Sequence, residues 1–221
     1  ILDNMTRLGL GYDEALKQAQ KLGYAEANPA TDVDGIDTWH KVILSANVAF
    51  GISLDKTTVP VSGIRNISAA DVDCFKAHGK VCKLISTAKR TEDGFSAYVQ
   101  PTLVDAGSPE GAVPLNYNLI TFIGQTSERM SFYGQGAGRY PTAYNVVQDL
   151  VDVTQGKSFY APYGAPQAAD NQEAHRYYVR GDWEGSIQED WSTGVITAPV
   201  PVSQMHQWIK DHPDAFIAGV D

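Results

Sequence analysis

The sequence has little of what would make it a secreted, membrane-bound or nucleic-acid-binding protein. It holds two cysteines, Cys74 and Cys82, in 221 residues. Two thiols cannot staple a chain of this length, so a disulfide framework is excluded. Whether they pair with each other stays open, and packing thiols in a reducing cytoplasm are the expectation. No apolar run approaches the roughly 18 residues a membrane helix needs. Lys and Arg number 17 against 26 Asp and Glu, for a net charge of −9. Basic residues never cluster beyond two or three, which argues against nucleic acid or an anionic membrane as partner.

Chemical motifs are also missing. The five histidines have no metal-ligand spacing: His206 and His212 stand six apart, against the three or four that helical ligands need. His40, His78 and His175 are equally isolated, so all five read as surface or capping groups and no metal is expected. No Gly-x-Ser-x-Gly elbow is present. Gly9-Leu10-Gly11 has Glu14 where a dinucleotide fingerprint needs its third glycine, and it follows no strand. Lys80, Lys83, Lys89 and Arg90 read as solvated strand-end charges.

What is present is a dense stretch from Gly23 to Lys41. Glu26, Asp32, Asp34, Asp37 and Lys41 fall within it. Apolar residues then follow at Ile36, Trp39, Ile43, Leu44 and Val48, the spacing of an amphipathic helix. Asp37 and Lys41 are four apart and share a helix face. Asp32 or Asp34 is placed to cap the helix start. A capped helix with a surface ion pair is one reading. A calcium loop is a second, and it fails: with Gly35 sixth, the first position is Ala30 and the twelfth is Lys41, where carboxylates are required. A third is a site where carboxylates hold a polar substrate and a partly buried lysine moves a proton.

The expected fold is α+β, an antiparallel or mixed sheet with helices packed on one face, plus a small C-terminal α/β unit. Residues 1–8 and 13–22 read as helices, with Gly9 and Gly11 as a stop and Leu16, Ala19 and Leu22 inward. Ser68 starts a short helix. Residues 80–89, 95–104, 116–123 and 130–133 read as four strands of an antiparallel meander. Their turns are Glu92-Asp93-Gly94, Gly107-Ser108-Pro109 and residues 124–127. The glycines 134, 136 and 138 make a turn into a helix over 141–154, which Pro141 suits. Residues 157–172, with Pro162, Gly164 and Pro166, read as a linker. Beyond it, 175–180 and 194–202 read as strands, 204–211 as a helix and 215–220 as a last strand. Trp183, Trp191 and Trp208 read as packing residues of this tail.

Several of these motifs resemble homoserine dehydrogenases, in the family's order and spacing. They are Leu22-Gly23-Tyr24-Ala25-Glu26-Ala27-Asn28-Pro29, Asp32-Val33-Asp34-Gly35-Ile36-Asp37 and His40-Lys41. Gly63-Ile64-Arg65-Asn66-Ile67 and Tyr133-Gly134-Gln135-Gly136-Ala137-Gly138 with Pro141-Thr142-Ala143 follow. The resemblance covers about residues 1–156, and implies NAD(P)-dependent interconversion of aspartate 4-semialdehyde and homoserine, on the route to threonine and methionine. It implies Lys41 as the acid/base group, Glu26 and Asp37 as ligands of the amino acid, Asp32 as support for the lysine and the substrate, and Tyr24 lining the pocket. Gly138, with Gly136 and Gly134, would lie against NAD or NADP. The family's nucleotide-binding domain would precede Ile1, so the chain is expected to be a C-terminal piece, inactive alone, that dimerises through its sheet region. The division expected is a catalytic and dimerisation domain over 1–156, the linker, and a weakly ACT-like regulatory unit over 173–221. A non-catalytic dimerisation and amino-acid-sensing module is the alternative.

Overall fold

The computed structural model describes residues 1–90, 94–157 and 164–220. In chain order the first helices are α1 (Leu2–Leu8), α2 (Tyr12–Lys21), α3 (Ala30–Val33) and α4 (Ile36–Phe50). Next come β1 (Ser53–Leu54), α5 (Ala69–Ala77), β2 (Lys80–Arg90), β3 (Phe95–Asp105), β4 (Tyr117–Gly124), β5 (Glu128–Gln135) and α6 (Arg139–Thr154). The tail holds β6 (Pro166–Gln167), β7 (Ala174–Arg180), β8 (Ile187–Asp190), β9 (Val195–Thr197), β10 (Val200–Pro201), α7 (Val202–Asp211) and β11 (Phe216–Val220).

Local sequence explains several boundaries. Gly9 ends α1 at φ +66, a left-handed value that a side chain resists. Ser68 and Asp71 form a reciprocal capping box at the start of α5. In α2 the buried residues are Ala15 and Ala19, with Leu16 against the core; Leu22, expected inward, is 59 % exposed.

The main sheet has the order β2-β3-β11-β7-β9-β8, with β10 added to β7. β2 and β3 form a long antiparallel hairpin, paired from Lys80↔Asp105 to Arg90↔Phe95. The expected turn residues Glu92 and Asp93 lie outside the described residues, as does Pro162 of the expected linker. The four-stranded meander is not formed. β11 occupies the second edge of β3, running parallel to it, and separates it from the antiparallel β7. β4 and β5 pair only with each other, as a separate hairpin. The tail is therefore built into the sheet of β2 and β3, and β8 adds a strand that had no clear sequence signal.

The two faces of the sheet carry different partners. Cys82, Leu103, Tyr178, Phe216 and Ala218 pack with Met5, Phe75 and Val72 from α1 and α5. Phe95, Ala97 and Val99 continue the same face of β3 and meet Val42 and Ala46 of α4. Strand alternation sends Tyr177, Val179 and Ile217 to the opposite face. There they meet Met205 of α7, with Trp183 and Trp208 beside them. Thus α1, α4 and α5 cover one face, and α7 packs on the other.

The buried stripe of α4 differs from the expected one. Val42 and Ala46 are buried, with Trp39, Ile43 and Phe50 beside them, whereas Leu44 is 66 % and Val48 72 % exposed. The stretch expected as a linker is anchored at its far end. Asn171 is 2 % exposed; its side chain accepts from Ala97 N at 2.8 Å and donates to Thr58 O at 3.0 Å. The thiols of Cys74 and Cys82 are both free and buried, and burial pushes the Cys82 thiol up to about 12.

Candidate functional site

The Gly23–Lys41 stretch folds back on itself at two glycines. Gly23 turns off the end of α2 at φ +73. The Gln20 amide then donates to the carbonyls of Glu26 and Ala27, at 3.0 and 3.4 Å, which holds the loop against α2. Gly35, at φ +80, turns α3 into α4. A Cβ there would sit 3.0 Å from Val61 Cγ2, so a side chain would be strained by both backbone and neighbour.

These turns bring Asp37 and Lys41 into contact and leave Asp32 within electrostatic reach of both and of Glu26. Lys41 donates to Asp37 Oδ2 at 2.6 Å across one turn of α4. Asp32, in α3, feels the charges of Asp37, Glu26 and Lys41 and the backbone amide of Glu26. Burial is the largest influence on Asp32 and raises its pKa; the carboxylates of Asp37 and Glu26 add to this, while the Glu26 N–H and Lys41 oppose it. A partly desolvated carboxylate among like charges holds its proton more tightly. Tyr24 sits on the same loop, 38 % exposed.

Two expectations, the α4 cap and the burial of Lys41, are corrected here. Neither Asp32 nor Asp34 caps α4: its first turn has no side-chain cap, Asp34 being taken by Arg65 while Asp32 lies back within α3. The partial burial expected at Lys41 is absent, since its side chain is 56 % exposed. The glycine turn at 134–138 forms its hydrogen bonds within its own arm. Asn116 accepts from Gly136 N at 2.9 Å and donates to Ala137 O at 2.7 Å. A Cβ on Gly136 would fall 1.4 Å from Asn118 Nδ2, so that glycine makes room for Asn118. Gly138 has φ +122 and stands at the uncapped N-terminus of α6; nothing lies within 4 Å of a Cβ on Gly134.

Other polar groups escaped the sequence reading. Arg65 reaches Asp34 with two parallel bonds, Nε to Oδ1 at 2.9 Å and a terminal nitrogen to Oδ2 at 2.8 Å. Gly63 packs directly on Asp34, where a Cβ would fall 2.2 Å from Val33 O. The signal existed, since both residues belong to the quoted Gly63–Ile67 motif. His206 is not a surface group: it is 1 % exposed. Its Nδ1 lies 3.0 Å from Ser62 Oγ and its Nε2 3.1 Å from Gln100 Oε1. A carboxamide oxygen can only accept, so Nε2 carries the proton and Ser62 donates to Nδ1. Nor is Lys83 solvated. It donates to Val113 O at 2.7 Å, and burial lowers its pKa. Among the described residues no group of three or more His, Cys, Asp or Glu is arranged to hold a metal.

The sequence and fold both have relatives. The family model for homoserine dehydrogenase matches residues 1–151. The chain belongs to the homoserine dehydrogenase family. It is 38 % identical over 169 residues to the homoserine dehydrogenase of Bacillus subtilis, covering 73 % of this chain and 39 % of that protein. Against that of Pseudomonas aeruginosa the figures are 41 % over 155 residues, 70 % and 36 %. A crystal structure of a homoserine dehydrogenase from Thiobacillus denitrificans matches the whole of this chain and 61 % of its own, with TM-score 0.78 and 27 % identity. One from S. aureus at pH 7.5 matches the whole chain and 60 % of its own, with TM-score 0.72 and 26 % identity. This member of the homoserine dehydrogenase family thus spans well under half the length of these curated relatives. No helix among its described residues is long and apolar enough to cross a membrane.

Proposed function

We propose that this chain supplies the substrate-binding and proton-transfer part of a homoserine dehydrogenase, for the interconversion of L-aspartate 4-semialdehyde and L-homoserine. The observation that carries the reading is the Lys41–Asp37 pair, with Asp32 within electrostatic reach of Lys41, Asp37 and Glu26. Carboxylates suit the substrate's ammonium, so Glu26 and Asp37 bind it, Asp32 supports Lys41 and the substrate, and Tyr24 lines the pocket. A cationic ammonium suits an oxygen that gains negative charge, so Lys41 gives its proton to the aldehyde oxygen on reduction and takes it back on oxidation. NAD or NADP, when bound, supplies or accepts the hydride. The open space at Gly134 and the uncapped N–H groups after Gly138 fit one edge of such a cofactor, and a further domain would hold the rest. Titrating homoserine into this chain by calorimetry tests the reading. Binding is expected, and Glu26→Ala with Asp37→Ala should abolish it; a parent chain that does not bind homoserine overturns it.

Assembly belongs to the same proposal. Ile120, Phe122, Met130 and Phe132 share one face of the β4–β5 hairpin and are 42–57 % exposed. Exposed apolar surface of this kind marks an interface, and we assign it to a second copy of the chain. Residues 1–156 form the catalytic and dimerising part. The tail, because its strands lie within the sheet, serves as part of that body and not as a separate ACT-type sensor.

A further inference from the structure

α3 carries Asp32, α4 carries Asp37 and Lys41, and only Asp34 and Gly35 separate them. Neither helix has a side-chain cap at this junction. Gly35 lies in the left-handed region, where the backbone of a glycine is freest. Within the junction only backbone bonds hold the turn, Asp34 N to Ala30 O at 2.9 Å and Gly35 N to Asp32 O at 3.3 Å, and contacts from outside add to them. The 62–66 segment supplies those contacts at three points. Ile64 N donates to Val33 O at 2.7 Å. Gly63 lets that carbonyl and the Asp34 backbone come close. Arg65 grips both oxygens of Asp34. The segment is itself fixed to the tail: Asn66 Nδ2 donates to Pro213 O at 2.6 Å and Ala215 O at 2.9 Å, and Arg180 donates to Asn66 O at 2.6 Å.

We propose that Arg65 is a positioning residue for the Glu26–Lys41 site, holding through Asp34 the turn that sets Asp32 against Asp37 and Lys41. The inference rests on the substrate reading given above. A planar guanidinium on two carboxylate oxygens fixes an orientation as well as a distance. Arg65 and Asp34 are 54 % and 41 % exposed, so the pair does little for stability. Its effect is geometric.

The test uses two readouts on this chain. Carboxyl ¹³C NMR follows the titration of Asp32, and calorimetry follows homoserine. In Arg65→Met the Asp32 midpoint should fall towards the ordinary carboxylate range, because a loosened junction admits water. Homoserine affinity should drop about tenfold, well within what misplacement of binding groups costs. Arg65→Lys keeps the charge and loses the fork, so it should fall between parent and Arg65→Met. An unchanged midpoint in folded Arg65→Met overturns the proposal. If that variant does not fold, Asp34→Asn, which keeps the shape, must reproduce the fall in midpoint, and an unchanged midpoint there overturns it. A parent chain that ignores homoserine removes the substrate reading, while the Asp32 titration still decides the role of Arg65.

Discussion

Arg180 Nε lies 3.0 and 3.1 Å from the two oxygens of Asp71, a pairing across 109 residues. Asp71 is fully buried, and it also accepts from Tyr178 OH at 2.7 Å and from Ser68 N at 2.8 Å. One carboxylate thus caps α5 and ties the middle of the chain to β7. Removing one partner of such a pair strands the other without compensation. Arg180→Met is expected to cost about 3 kcal/mol, the lower end for buried pairs because Arg180 is partly exposed. Urea denaturation measures it, and a loss below about 1 kcal/mol, the range of a surface pair, would contradict this account.

His206 gives the chain a pH dependence. Burial, with a smaller push from Lys210, lowers its pKa from 6.5 to about 3. The folded state therefore binds the proton less well than the unfolded state. Its contribution is fully present above pH 6.5 and is lost as pH falls from there towards 3. The slope is at most about 1.4 kcal/mol per pH unit for one proton. His206→Gln should flatten this part of the stability curve while lowering stability at neutral pH. Equal slopes for parent and variant between pH 6 and 4 would show that other groups dominate.

The hairpin face predicts assembly. Phe122 and Phe132 pack edge to face at 5.9 Å and stay exposed. Light scattering should give a dimer for the parent. Replacing both by Asp should yield a folded monomer, since charge on an apolar contact face opposes burial. A monomeric parent across a wide concentration range would remove the interface.

What was legible in the sequence was local. The Ser68 cap needs only its third neighbour, and the Asp37–Lys41 pair only one helical turn, so spacing alone carries both. The α4 stripe misled because Leu44 and Val48 fit a helical period; which stripe is buried depends on β3 above it, where Phe95, Ala97 and Val99 select Val42 and Ala46. Long-range pairings had no local trace. β11 enters between β3 and β7 from more than a hundred residues past β3, so the meander looked complete without it. Arg65 finds Asp34 across 31 residues and His206 finds Ser62 across 144. A histidine without a metal spacing looks like a surface group until a fold places it in the core. In the site itself, carboxylate clustering was readable, because it lies in one stretch, whereas the exposure of Lys41 was not.

That exposure sharpens the prediction for Lys41. Its amine sits 2.6 Å from Asp37 Oδ2 with more than half its side chain in water. As a plain ion pair on a helix surface it would contribute about 0.3–0.5 kcal/mol. Lys41→Ala would then lower stability slightly and leave any chemistry untouched. As the proton donor of a full-length homoserine dehydrogenase it would behave otherwise. Lys41→Ala should cut kcat by about 10²–10⁴, the usual worth of a general acid or base. KM should change less, because Glu26 and Asp37 still hold the ammonium. Asp37→Ala and Glu26→Ala should show the reverse split, raising KM through loss of a charge-assisted hydrogen bond worth about 1.5–3 kcal/mol. Lys41→Arg keeps the charge but holds its proton too firmly, so it should be slow as well. The split between kcat and KM separates the two roles where stability cannot. A Lys41→Ala enzyme whose kcat stays within a few-fold of the parent would return this stretch to a surface ion pair.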